Sequence, residues 1–340
     1  MLMEMNVTLD NLGGLYALQD RYTELTHRYH RMKERGKFVK MTVALPCRLA
    51  RKLVKYRVIG MYKRLGQLPR LSGSTDVVVS LTSFPPRING LRFVVLSLLT
   101  QTVRPGKIVI YLSADEFPHR ESDLPDDLLA LKEYGLDIRF VSGNIRSHKK
   151  YHYAFSDFPE STVITVDDDT IYHQRTLERL VSLSARYPKA VCANIIRIIG
   201  MAGNGFMPYL KWRKYDKGRE SLSMHYMAIG CGGVLYPSQW AGDMLLDKEQ
   251  AMRLCPLADD LWLKANQLIS HVPVVFAGGD NPPCSIELPG VRKSALQRKN
   301  TGKENMNDEQ WGRMDKEFGL AQTVAGIIEK ETSNCKQNTP

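Results

Sequence analysis

The stretch Val163–Leu177, VITVDDDTIYHQRTL, decides how the chain is read. An apolar, β-branched run ends on three consecutive aspartates, Asp167, Asp168 and Asp169. Such a run predicts a buried strand. Adjacent carboxylates repel one another, so their place needs a reason. In open α/β sheets ligands sit beyond the carboxyl ends of the strands. Carboxylates there can share a divalent cation such as Mn²⁺ or Mg²⁺, which bridges to substrate phosphates. Strand alternation turns Asp167 and Asp169 to one side and Asp168 to the other. The competing reading is capping of a helix with Leu177, Leu180 and Val181 on its inner face. One aspartate would serve that purpose, so ligand binding is the better account of three.

Outward from this stretch the pattern alternates. DVVVSLTSF (76–84), KIVIYLS (107–113) and LDIRFVSG (136–143) read as strands. INGLRFVVLSLLTQT, LPDDLLALKEYG and KKYHYAFSDF read as the helices between them. The βαβαβαβ order predicts an α/β fold with a mainly parallel central sheet flanked by helices. Ser83, Ser113, Gly143 and Asp167 all fall at strand ends and are expected to converge on one crevice. Further on, AVCANIIRI reads as one strand and residues 203–224 as a long Gly- and Lys-rich connection. YMAIGCGGVLYP is strand-like but broken by glycines, LADDLWLKANQLI is a helix opening on Asp259 and Asp260, and VPVVFA is the last clear strand. The second acidic pair reads either as a helix cap or as a general base for a hydroxyl nucleophile.

The 340 residues are 43% hydrophobic and 24% charged, which suits a globular protein with a sizeable core. The net charge of +11 is unevenly placed. Residues 28–70 hold 14 Lys/Arg and a single acid, Glu34, so this segment alone exceeds the positive charge of the whole chain. ALPCRLARKLVKYRVIGMYKRLG predicts a basic amphipathic helix, with Leu49, Leu53 and Tyr56 sharing one arc. That helix fits either an anionic membrane surface or packing on its own domain with a solvated basic face. The segment lacks a nucleic-acid-binding motif, and no nucleic-acid partner is expected. No apolar run is long enough to span a bilayer, and the N-terminus lacks a secretory pattern. The six scattered cysteines read as reduced thiols, and the expected location is the cytoplasm, peripheral on the inner face of the membrane if the helix docks there. Expected boundaries are a basic helical region at 1–74, the α/β domain at 75–328 and a disordered tail at 329–340.

Four features in order carry a resemblance: VVVSLTSFPPRI, the strand-end VDDD, AIGCGGVLYP and ADDLWLKA. Over about residues 75–315 the chain resembles GT-A fold nucleotide-sugar glycosyltransferases, similar to exostosin-like enzymes and to bacterial enzymes of surface-polysaccharide synthesis. The resemblance implies a nucleotide-sugar donor, a UDP-sugar first, and a glycan or lipid-linked glycan acceptor. It implies that Asp167 contacts the ribose and Asp169 binds Mn²⁺ or Mg²⁺, with Asp167 as a further metal ligand and Asp168 beside the donor. Thr82, Ser83, Pro85 and Arg87 would meet the nucleotide, as would Arg146 and Lys149 of GNIRSHKKY; surface charge is the competing reading of these basic residues, and for Lys150 a nearly equal one. Gly232 and Gly233, with Gly230, would let backbone approach the sugar. Asp260 would be the catalytic carboxylate, Asp259 the second choice; inverting and retaining chemistry stay open. Many relatives place a further metal-binding His near the C-terminus, and RKSALQRKNTGKENMNDEQW has none. Arg298, Lys299 and Lys303 are the candidates to meet phosphate instead, and Trp311 is expected to pack. Two other classes compete. A nucleotidyltransferase would place a Gly-rich phosphate loop after the first strand, where prolines stand here. A non-enzymatic adaptor would rest on residues 28–70.

Overall fold

The computed structural model describes residues 12–34, 44–73, 75–215, 218–238, 240–280, 282–290, 300 and 305–337. Arg298, Lys299 and Lys303 lie outside the described residues.

The first half follows the alternating pattern. Strands β1 (Val77–Thr82), β2 (Lys107–Ser113), β3 (Leu136–Val141) and β4 (Thr162–Thr165) pair in parallel, in the order β4-β1-β2-β3. β1 and β2 are buried almost throughout, as strands covered on both faces must be. The chain moves outward from β1 to β3 and then returns to the other side of β1. This reversal opens a crevice at the carboxyl ends of β1 and β4, where Ser83 and the three aspartates lie.

The second half adds shorter strands. They are β5 (Thr170–Ile171), β6 (Val191–Ala193), β7 (Ile196–Ile198), β8 (Met201–Ala202), β9 (Gly205–Phe206), β10 (Arg213–Tyr215), β11 (Ser221–Ser223), β12 (Tyr226–Ala228), β13 (Val234–Tyr236), β14 (Val274–Phe276) and β15 (Ile286–Glu287). Of these, β6, β11, β13 and β14 extend the main sheet and the rest form small separate sheets. The full order is β11-β14-β6-β13-β4-β1-β2-β3. β13 runs antiparallel between β4 and β6, and β11 antiparallel to β14. AVCANIIRI, expected as one strand, splits into β6 in the main sheet and β7 in a small sheet ordered β10-β7-β12. The described residues of the expected connection at 203–224 also hold more regular structure than its composition suggests. Trp212 is 2% exposed and packs against Tyr209 and Trp311, which pins the segment to the core. Trp311 packs as expected.

Among the described residues eight helices of nine residues or more frame the sheet and its site: α1 (Leu12–Glu34), α2 (Ala44–Lys63), α3 (Leu91–Leu99), α4 (Lys149–Asp157), α5 (Thr176–Arg186), α6 (Asp259–Ile269), α7 (Met306–Phe318) and α8 (Leu320–Gln337). α8 runs well past residue 328, where a disordered tail was expected to begin. α1 and α2 pack together, and Leu15, Val58, Ile59 and Tyr62 join the same apolar cluster as β1, β2 and α3. The expected boundary at residue 74 therefore crosses a continuous core. No described helix is long and apolar enough to cross a membrane.

Candidate active site

The site begins with β4. Its apolar residues bury the strand, and the chain then emerges at the carboxyl edge of the sheet. Asp168 turns inward, with a side chain only 7% exposed, while those of Asp167 and Asp169 are 29% and 22% exposed. The alternation read from the sequence is thus present in the fold. The aspartates do not cap a helix: β5 follows them, and α5 starts only at Thr176.

Asp168 ties the two strands of the crevice together. Ser83, just beyond β1, donates its hydroxyl to Asp168 Oδ2 at 2.7 Å. Arg87 Nη1 lies 2.5 Å from Asp168 Oδ1 and 3.1 Å from Asp169 Oδ2. Arg87 is carried by a single 3-10 turn, Pro85–Gly90, whose prolines set its start. Pro85 itself is exposed, and Thr82 donates its hydroxyl to Tyr111 O at 2.7 Å rather than facing the aspartates.

The second acidic pair comes from the far side. Asp259 and Asp260 form the first turn of α6, yet neither side chain caps that helix. Between the pairs stands Lys150. Its Nζ lies 2.7 Å from Asp167 Oδ1 and 2.9 Å from Asp259 Oδ2, and the residue is 4% exposed. Both oxygens of Asp260 lie near the Gly230 N–H, at 3.1 and 3.2 Å. A Cβ on Gly230 would stand 2.9 Å from Asp260 Oδ1 and 3.3 Å from Lys150 Nζ. The glycine is what lets both charged groups fit.

This geometry splits the two neighbouring carboxyls. Burial alone would raise Asp259, but the Lys150 ammonium and then His148 outweigh it and hold Asp259 below the ordinary carboxylate range. Burial, then the charge of Asp259, push Asp260 up to about 7, with Lys150 opposing. Burial disfavours a charged Lys150 too, but Asp167, Asp259 and Asp260 outweigh that and hold it protonated. Burial and then Asp167 raise Asp169 to about 6. A pair of titratable groups pushed apart in this way suits acid–base work.

A divalent cation fits the exposed carboxylates. Their oxygens are hard donors, and burial first and Asp167 second, the causes that raise Asp169, both disfavour a carboxylate that a cation would stabilise. Asp167 engages Lys150 through Oδ1 alone, and its Oδ2 has no hydrogen-bond donor among the described residues. Among those residues no group of three or more His, Cys, Asp or Glu converges on a metal position. Asp167 and Asp169 would be the protein's ligands, with the rest of the shell left to substrate and water.

Several expected residues are placed elsewhere. Arg146 is exposed, in left-handed backbone (φ 55°), its N–H held by Asn144 Oδ1 at 2.9 Å. Lys149 points to Asn144 Oδ1 (2.8 Å) and Glu116 Oε2 (3.3 Å), so the basic residue between the acidic pairs is Lys150, to which the sequence reading assigned no role in the site. Gly232 and Gly233 answer to packing: a Cβ on Gly232 would sit 2.9 Å from Ile195 Cγ1, and Gly233 takes φ 76° beside Leu180 and Thr176. His148, unassigned in the sequence, is buried between Cys255 O (2.8 Å) and the Tyr151 hydroxyl (2.9 Å). The KK pair at the start of α4 was the available signal, but helix phase alone decides which lysine turns inward.

No protein-family model matches the chain, and no curated protein matches it. Among solved structures it is similar to a UTP-bound UGPase from Acinetobacter baumannii, at 9% identity and a TM-score of 0.40, over 71% of this chain and 98% of that one. It is also similar to a 4-diphosphocytidyl-2C-methyl-D-erythritol synthase from Anaerococcus prevotii, at 11% identity and a TM-score of 0.39, over 70% of this chain and 98% of that one. At that distance the likeness decides nothing about chemistry.

Proposed function

We propose that the chain is a metal-dependent glycosyltransferase of the GT-A kind. It moves a sugar from a nucleotide-sugar donor, a UDP-sugar first, to a hydroxyl of a glycan or lipid-linked glycan of surface polysaccharide. The observation that carries this reading is one crevice with two acidic pairs of different character. Asp167 and Asp169 are half-exposed at a sheet switch point, where a nucleotide diphosphate is expected. Asp260 stands opposite, its carboxyl poised near neutrality.

On this reading a bound Mn²⁺ or Mg²⁺ supplies electrostatic neutralisation of the departing diphosphate. Asp167 and Asp169 would hold the cation. Ser83 and Arg87 fix Asp168 and so the shape of the aspartate loop. Asp260 takes the proton of the acceptor hydroxyl as it attacks the anomeric carbon. Lys150 keeps Asp259 ionised and the two acidic walls at a fixed separation. Arg146, exposed at the crevice side of β3, remains a candidate for the nucleotide.

The test is a screen of sugar nucleotides with and without Mn²⁺, reading nucleoside diphosphate release and transfer to acceptors. Release that needs Mn²⁺ and disappears in Asp169→Ala supports the reading. A nucleotidyltransferase would instead release pyrophosphate from a nucleoside triphosphate plus a sugar phosphate, and that product would overturn it.

A further inference from the structure

The sequence leaves two roles open for the basic helix, packing or docking, and α2 divides them between its faces. Ala44, Cys47, Val58, Ile59 and Tyr62 are buried against α1 and the core. Tyr62 fixes that face further: its hydroxyl accepts from Gln19 Nε2 at 3.1 Å. The opposite face is not covered. Leu45, Leu49, Leu53 and Tyr56 are 51%, 54%, 67% and 50% exposed, and among the described residues Leu210 is the one other large apolar side chain exposed to that degree. Spacings of four, four and three align them in one stripe along the helix.

Charge flanks this stripe. Arg48 and Lys52 lie on one side, Arg57 and Arg64 on the other, all exposed, and α2 contains no Asp or Glu. None of these four makes an ion pair among the described residues. Arg51, by contrast, is used internally, 4.9 Å over the Tyr29 ring. An isolated exposed leucine needs no explanation, but a continuous stripe with a polar rim marks an interaction surface.

We propose that this outer face of α2 docks the protein on an anionic lipid bilayer. Leu45, Leu49, Leu53 and Tyr56 enter the boundary between headgroups and acyl chains, and the flanking cations meet lipid phosphates. A nucleic acid would use the cations but not a central apolar stripe. A second copy of the chain would set two acid-free, cationic faces against each other. The inference does not depend on the glycosyltransferase reading.

The experiment is flotation of the full chain with vesicles of phosphatidylcholine, alone or mixed with phosphatidylglycerol, at low and high salt. Binding is expected to the mixed vesicles, weakening with salt. Leu49→Asp/Leu53→Asp should abolish it. Arg48→Gln/Lys52→Gln/Arg57→Gln should weaken it roughly 100-fold, at about fivefold per cation near an anionic surface. Both variants should melt like the parent, since the altered side chains project into solvent. Absence of binding to mixed vesicles would overturn the proposal, as would binding that both variants retain. A wild-type dimer that Leu49→Asp/Leu53→Asp converts to monomers, with no vesicle binding by either, would assign the face to self-association instead and overturn it too.

Discussion

Asp259 and Asp260 are neighbours in the chain and opposites in the site. Asp259 is ion-paired to Lys150, whereas Asp260 is raised to about 7. Asp260→Asn should lower kcat by about 10²–10⁴-fold, the usual worth of a general base, with little change in donor KM. The parent's rate should climb with pH through about 7, because the base acts when deprotonated. Stability should move the other way. A carboxyl whose folded pKa lies above its unfolded value stabilises the fold when protonated, and that contribution is lost as pH rises from about 4 to about 7. Asp260→Asn should therefore melt higher than the parent at pH above 7 and nearly alike near pH 4, in circular dichroism melts. Lys150→Met should be costly, by about 3–5 kcal/mol in denaturant titration, since it strands buried carboxylates. The three-aspartate alternation was legible in the sequence because strand period is fixed. Lys149 and Lys150 were not distinguishable there, because the packing of α4 sets which one faces inward.

At the scale of elements, the first four strands and helices α3 and α4 were readable because buried parallel strands are long apolar runs between clear helical periods. LPDDLLALKEYG, expected as one helix, is a four-residue turn, Asp126–Leu129, running into a 3-10 stretch, Ala130–Tyr134. The second half was harder for a physical reason: its strands are two or three residues long and their pairing is non-local. The segment 203–224 illustrates it. Glycine and lysine content suggested a loop, but Trp212 and Tyr209 buried against Trp311 hold it. Trp311→Ala should cost about 3–5 kcal/mol, the range for a buried aromatic, measured by the same titration. Gly230 is the other element-level lesson. A Cβ there would crowd Asp260 and Lys150, so Gly230→Ala should reduce turnover more than stability.

For the whole molecule, composition located the basic segment but not its attachment. The linker-like LPRLSGST suggested a separable N-terminal region, yet α1 reaches the stretch that follows the three aspartates. Gln19 Nε2 donates to Tyr172 O at 3.2 Å, and Asp20 Oδ1 meets His173 Nε2 at 3.0 Å. Thr23 Oγ1 accepts the Cys284 N–H at 3.0 Å, just before β15, which pairs with β5. Leu288 N–H in turn donates to Asp169 O at 2.7 Å. Removing residues 1–70 would uncover the cluster that Leu15, Val58 and Tyr62 complete. That truncation should give aggregated protein in size-exclusion chromatography rather than an active core. Amphipathicity predicted an apolar arc on α2; it could not say that a different face makes the core contact.

In the proposed function Asp169 and Asp260 serve one reaction from opposite walls of one crevice. The direct measurement is Mn²⁺-dependent release of nucleoside diphosphate from a sugar nucleotide, run as pH profiles on the parent, Asp169→Ala and Asp260→Asn. Asp169→Ala should abolish metal-dependent turnover, and Asp260→Asn should leave a small residual rate without the rise near pH 7. Full turnover and unchanged metal dependence in Asp169→Ala, or a parent-like pH profile in Asp260→Asn, would contradict it.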